Sequence, residues 1–333
     1  MAKRILDVQN LKLSFFTVAG EVKAVDNISY HVDEKEVVAI VGESGCGKSV
    51  SQLTVMQLTQ IPPGKLLGGS VILNGRDILQ YPQFSKEMRQ IRGCEVSMIF
   101  QEPMTSLNPV FTVGDQLRDV IMAHNNVKRK EAWDIGTQAL KAVDIPDPAL
   151  RMKNYPFEMS GGMRQRVLIA MAVACNTDLI IADEPTTALD VTTQAQVIDL
   201  IVSLVDKLNS SLVVVTHNLG LVTRYANRIY VMYAGKFVES GTTEDLITNP
   251  KHPYTIGLLN SVPKITGERV KELIPIEGSP PSLIDLPDRC SFLPRCPFAT
   301  ETCVKSPFPE LKLVADNDHY SACYNVSELG RAK

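Results

Sequence analysis

The chain lacks three features that would each have set its class. It has no excess of positive charge: 34 Lys and Arg face 37 Asp and Glu, a formal net charge of −3. Composition therefore makes no case for a nucleic-acid binder. It has no apolar run able to cross a bilayer; stretches such as "VLIAMAVAC" fall far short of the roughly 20 residues a spanning helix needs. Its first residues, "MAKRILDVQN", put no long apolar stretch behind the basic pair and do not read as a secretory signal. A protein kept in the cytosol is expected, held at any membrane only by a partner. No internal repeat is visible. What is present suits a globular protein, 44% hydrophobic and 21% charged. The 333 residues point to one large domain with an appendage, or to two domains.

The apolar runs organise the chain. "EVVAIVGESGCGKSVSQLTVMQL" reads as a buried strand, a glycine-rich turn and a helix. "SVILNG" and "EVSMIFQ" read as short strands, and Val113 to about Asp144 as helical. "SGGMRQRVLIAMAVAC" opens a further helix, "DLIIAD" and "SLVVVTH" are buried strands, and "VTTQAQVIDLIVSLVDKL" is an amphipathic helix between them. "RIYVMYAGKFVESG" predicts a hairpin turning at Ala234-Gly235. Strands alternating with helices predict an α/β core on a parallel sheet. Past Thr248 the chain becomes proline-rich and loses periodicity. We therefore expect domains at 1–250 and 251–333, the second small and irregular.

"GESGCGKS", Gly42 to Ser49, fits G-x-x-x-x-G-K-[ST] and lies between predicted strand and helix, the context that gives the pattern its specificity. Gly42, Ser44, Gly45, Cys46 and Gly47 would wrap a phosphate with backbone N–H groups at a helix N-terminus. Lys48 would reach the β- and γ-phosphates and Ser49 would hold Mg²⁺. "IADEPTTALD" ends an apolar strand on adjacent carboxylates, Asp183 and Glu184. Buried charge of that kind needs a cation or a working partner. Asp183, on a strand expected beside the one before Gly42, would join the Mg²⁺ shell, and Glu184 would hold the attacking water. Ser160-Gly161-Gly162 begins a helix and could form a second anion site, suggesting that two subunits share each nucleotide. His217 ends a third strand, where it could contact a γ-phosphate. Taken singly, the last two features would read as an ordinary helix cap and a satisfied histidine.

In this order the motifs resemble the nucleotide-binding subunit of an ABC transporter, over roughly residues 5–245. Gly42–Ser49 matches Walker A, "LIIADE" Walker B, Ser160-Gly161-Gly162-Met163 the signature, Asp190 the D-loop and His217 the switch histidine. The resemblance implies a P-loop NTPase fold with a helical lobe at about 101–175, and ATP and Mg²⁺ as ligands. It makes Glu184 the catalytic residue with His217 and Gln101 beside it. Gln101 joins Ser49 and Asp183 around Mg²⁺. Phe15 falls where an aromatic ring stacks on adenine, with Phe16 as the nearby alternative. Met163 departs from the glutamine of the wider family but is similar to the peptide-importer branch. "HPYT" at His252–Thr255, "GSPPSL" and the cysteine run resemble the C-terminal extension of peptide and nickel importer ATPases. That branch implies a second, different ATPase subunit, two transmembrane permease subunits, an extracytoplasmic binding protein and a peripheral place on the cytoplasmic membrane face. The apolar Leu107, Val110 and Phe111 after Gln101 are candidates for the surface that meets a permease, with core packing the competing reading for Phe111. A soluble ABC ATPase acting on the ribosome or DNA is the alternative, disfavoured by the single cassette. A regulatory metal-binding protein is another.

Of seven cysteines, Cys46, Cys94 and Cys175 are scattered, while Cys290, Cys296, Cys303 and Cys323 gather in the tail. In a reducing compartment such a group reads as a metal site. Its spacings, x5, x6 and x19, are wider than the close pairs of structural zinc and match neither common ferredoxin pattern. Their looseness suits a [4Fe–4S] cluster better, and the resemblance implies one. Zinc and unligated thiols remain the alternatives.

Overall fold

The computed structural model describes residues 3–187, 191–261, 275–315 and 318–326. Twelve strands occur among them. They are β1 (Arg4–Thr17), β2 (Gly20–Asp33), β3 (Val37–Val41), β4 (Gly64–Leu73), β5 (Arg76–Asp77) and β6 (Val96–Ile99). Then come β7 (Leu179–Asp183), β8 (Ser211–Thr216), β9 (Arg228–Tyr233), β10 (Lys236–Thr242), β11 (Lys312–Ala315) and β12 (His319–Ser321). The chain divides into two compact units, one made mainly of residues 80–215 and the other of 6–31, 37–79 and 216–333.

In the first unit β6, β7 and β8 pair in parallel, with β7 in the middle. Leu179 to Ala182 are wholly buried, which is why that strand is one uninterrupted apolar run. Both edges of β7 are taken by β6 and β8, so the strand carrying Asp183 is not the hydrogen-bonded neighbour of β3, contrary to expectation. The longest helices of this unit are Val113–His124, Arg129–Ala142, Gly161–Val173 and Val191–Leu208. The first of them starts at Thr112, whose hydroxyl accepts the Asp115 N–H at 3.1 Å and donates to the Asp115 carboxylate at 2.7 Å, closing a terminus that would otherwise leave donors unpaired.

The second unit holds two sheets. β2, β1, β4 and β5 form an antiparallel sheet in that order. The other runs β3, β9, β10, β12 and β11, with β3 and β9 parallel and the rest antiparallel. The predicted hairpin is β9–β10. Tyr233 pairs Lys236 across Ala234 and Gly235, whose φ values of 47° and 81° are those of a two-residue turn with both residues left-handed. The C-terminal segment is less irregular than expected. β12 pairs with β10 through Glu239↔Ser321 and Ser240↔Tyr320, and β11 adds outside it.

Candidate functional site

Gly42–Ser49 links β3 to the helix Lys48–Val55. Gly47 caps that helix with φ 105°, a conformation closed to side-chain-bearing residues. A Cβ there would lie 2.1 Å from the Ala24 carbonyl oxygen; at Gly42 it would lie 2.2 Å from that of Met232. The loop is thus pressed against two backbone segments and needs glycine at both contacts. Lys48 is buried, and its Nζ donates to the carbonyls of Gly42 and Glu43, both at 2.9 Å. The ammonium is drawn back across the loop. Burial pushes the Cys46 thiol up, only partly offset by Lys48, so Cys46 sits in the loop as a small packing group. Ser44 and Gly45 are exposed, and Ser49 is half-buried.

In the first unit, β6 and β7 bring a second group together. Ile99 lies opposite Ala182, so Gln101 and Glu184, each two residues further, emerge at the same sheet end. Gln101 Nε2 donates to Glu184 Oε2 at 3.1 Å, and Thr187 Oγ1 donates to the same oxygen at 3.0 Å. The Glu184 N–H is anchored on the Val215 carbonyl at 2.9 Å. Glu184 has φ 42°, left-handed backbone that a non-glycine residue adopts at a cost and that gathers at functional sites. Asp183 before it is buried. Thr187 was missed by the sequence reading; its spacing of three from Glu184 is the signal that would have found it.

Ser160 caps the helix Gly161–Val173, accepting the Met163 N–H at 3.3 Å. A Cβ added at Gly161 or Gly162 would meet nothing within 4 Å, so this helix start is open to a ligand. His217 follows β8 and is exposed. Phe15 is half-buried opposite Gly64, while the Phe16 ring is 49% exposed with Lys65 Nζ 6.0 Å from its centre. Asp190 lies outside the described residues.

A family model described as "ABC transporter" matches residues 25–187, and one described as "Oligopeptide/dipeptide transporter, C-terminal region" matches 238–303. The chain is 49% identical over 299 residues to the oligopeptide transport ATP-binding protein AppD of Bacillus subtilis, covering 90% of each. It is 47% identical over 301 residues to the dipeptide transport ATP-binding protein DppD of the same organism, covering 90% of this chain and 89% of the relative. Among solved structures it resembles the dimeric ATP-binding cassette MJ0796 bound to ADP and Pi, with a TM-score of 0.63 at 25% identity over 72% of this chain and 98% of that one. The chain belongs to the ABC transporter family, as an ATP-binding subunit of the oligopeptide/dipeptide branch.

This ABC ATPase has a further constellation in its tail. Cys290, Cys296, Cys303 and Cys323 all line one cavity, closed by apolar groups including Phe292, Leu293 and Pro309. Backbone N–H groups two residues on reach three of the sulfurs, from Phe292 to Cys290, Phe298 to Cys296 and Asn325 to Cys323. Cys303 has the Asn325 amide at 3.5 Å and the Thr300 hydroxyl at 3.3 Å. Such donors favour thiolate, while burial opposes it, holding Cys290 and Cys296 up and pushing Cys323 up to about 12. The donor set fits a positive centre that would take all four sulfurs as thiolates. Its neighbour His252 is kept neutral, with burial lowering it to about 3, and its Nδ1 caps the helix Pro253–Asn260 by accepting the Tyr254 N–H at 3.1 Å.

One expectation fails in the helical lobe. Leu107 is 3% exposed and belongs to the core, whereas Val110 and Phe111 are 71% and 51% exposed. The turn after Asn108 accounts for this, since the Asn108 side chain accepts the Val110 N–H and turns the next residues outward.

Proposed function

We propose that this subunit hydrolyses ATP to drive uptake of di- or oligopeptides, paired with a second, different ATPase beneath two permease subunits fed by an extracytoplasmic binding protein. The observation that carries the reading is the joint match to the cassette and to the oligopeptide/dipeptide C-terminal region, in relatives of equal extent. Residues 1–250 would form the cassette and 251–333 the extension. No described helix is long and apolar enough to cross a membrane, so attachment to the cytoplasmic face would run through the permeases. The exposed Val110 and Phe111 supply an apolar surface for one of them. Co-expression with its genomic neighbours should recover both permeases and the second ATPase on this chain. Val110→Asp should lower that recovery at least about tenfold while leaving ATP turnover of the isolated chain intact. Recovery of ribosomes or nucleic acid in their place would sink the importer reading.

The nucleotide chemistry follows from residue types. Backbone N–H groups of Gly42–Gly47 and the Lys48 ammonium bind the phosphates. Ser49, Asp183 and Gln101 would hold Mg²⁺, which neutralises charge on the β- and γ-oxygens. Glu184 takes the proton of the attacking water, oriented by Gln101 and Thr187. His217 would contact the γ-phosphate. Phe15, or the more exposed Phe16, would stack on adenine. Ser160, Gly161 and Gly162 would cap a γ-phosphate held by the partner ATPase, with Asp190 at the shared boundary.

The four cysteines would hold a [4Fe–4S] cluster. Their x5, x6 and x19 spacings are wider than the close pairs of structural zinc, and all four line one cavity. Anaerobic purification should give a coloured protein with iron and acid-labile sulfide in equal amounts, lost in Cys296→Ser. A colourless protein carrying zinc would overturn the assignment.

A further inference from the structure

The tail that carries the cysteines also grips the phosphate loop. Arg295, one residue before Cys296, is 5% exposed, and its guanidinium makes a two-pronged ion pair with the Glu43 carboxylate: Nη1 to Oε2 at 2.6 Å and Nη2 to Oε1 at 2.9 Å. Glu43 is the second residue of the loop. Its backbone N–H donates to the Tyr254 hydroxyl at 2.8 Å, and its carbonyl is one of the two that hold Lys48 Nζ. The loop residue next to Gly42 is therefore fixed from the tail at both its main chain and its side chain.

The Arg295 fork is fully engaged. Nε donates to the Glu277 carbonyl at 3.0 Å, Nη1 also to the Tyr233 hydroxyl at 3.3 Å and Nη2 also to the Ile276 carbonyl at 3.3 Å. Its position comes from the turn Leu293–Arg295, begun by the Leu293 N–H bonding the Cys290 carbonyl. Phe292 packs against both Tyr233 and Tyr254, with ring centres 5.3 and 5.4 Å away, and those two rings lie 4.6 Å from each other. Such a partly buried, bidentate pair is among the stronger polar contacts a protein makes, and lysine cannot reproduce its geometry.

We propose that Arg295 is a positioning residue for ATP: acting through Glu43, it holds the phosphate loop in the form that wraps the nucleotide. The inference rests on reading Gly42–Ser49 as the phosphate loop. Without the pair, the Glu43 carbonyl is no longer fixed and the Lys48 ammonium loses a defined resting place. A carboxylate is also left without its counter-charge at the edge of an anion site.

The test uses the full chain, Mg-ATP as the probe, and melting temperatures to confirm folding. Arg295→Gln and Glu43→Gln should each raise the Kd for Mg-ATP about tenfold, as for loss of one charge-assisted contact. The double variant should be no weaker than the worse single one, because both remove the same interaction. Arg295→Lys should fall between wild type and Arg295→Gln, and kcat of these two Arg295 variants at saturating ATP should stay within about twofold, since the loss is one of binding. Unchanged affinity in both single variants, or additive losses in the double, overturns the inference. If Lys48→Ala binds Mg-ATP as wild type does, the reading of the loop itself falls and the inference with it.

Discussion

Glu184→Gln will retain Mg-ATP binding and lose at least about 100-fold in steady-state phosphate release, the share that a positioned general base contributes. The substitution keeps shape and removes basicity. An amide oxygen can still accept from Gln101 Nε2 and Thr187 Oγ1, which now meet Glu184 Oε2 at 3.1 and 3.0 Å. The backbone anchor from the Glu184 N–H to the Val215 carbonyl is unaffected, and the left-handed φ of 42° is imposed equally on both side chains. Little in the fold should therefore respond, and a change in turnover can be read as chemistry. The measurement is phosphate release beside equilibrium nucleotide binding on one preparation. A variant that turns over ATP at the wild-type rate removes Glu184 from the base role and leaves its strained backbone without an explanation. Loss of binding together with turnover would mean that the carboxylate supports the site's structure.

The buried strands β3, β7 and β8 were legible because each is a short apolar run set beside glycine-rich or polar residues. The phosphate loop was legible because its pattern G-x-x-x-x-G-K-[ST] is local in sequence, and the contacts of Gly42 with the Met232 carbonyl and of Gly47 with the Ala24 carbonyl show why glycine stands at two of its positions. Four features were not legible, each for a physical reason. The β1–β4 ladder has a register shift between Gln9 and Lys12, where Asn10 takes φ 50°, so the alternation that marks a strand is broken midway. β11 and β12 are stabilised by pairing onto β10, a partner distant in sequence that leaves no local pattern. The role of Arg295 depends on Glu43, 252 positions away; an arginine among cysteines and prolines carries no sign of such a partner. Leu107 and Val110 have similar chemistry and opposite fates, and the turn at Asn108 that separates them is visible only in the folded chain.

Gly47→Ala will weaken Mg-ATP binding by about 30-fold to beyond 1,000-fold, whereas Gly45→Ala will weaken it by no more than about 30-fold. Both glycines have positive φ, 105° and 78°, and both would suffer the left-handed penalty of about 1–2 kcal/mol. The difference lies in what the new methyl meets. At Gly45 nothing lies within 4 Å, while at Gly47 the Ala24 carbonyl oxygen lies at 2.1 Å, about 1 Å inside any tolerable contact. Ala24 is buried in β2 and cannot yield cheaply, so the loop must move. Gly47 also supplies the carbonyl that accepts the Ser51 N–H at 2.8 Å, the opening bond of the helix that carries Lys48 and Ser49. Displacing it shifts the two residues proposed to meet the phosphates and Mg²⁺. Overpacking of about 1–3 kcal/mol added to the backbone penalty, if taken from binding, exceeds about a 30-fold loss and reaches well beyond 1,000-fold at its upper end. Titration of each variant with Mg-ATP, with melting temperatures alongside, separates the two positions. Equal losses at Gly45 and Gly47 would show that backbone conformation alone limits the loop and that the contact with β2 is irrelevant to nucleotide binding.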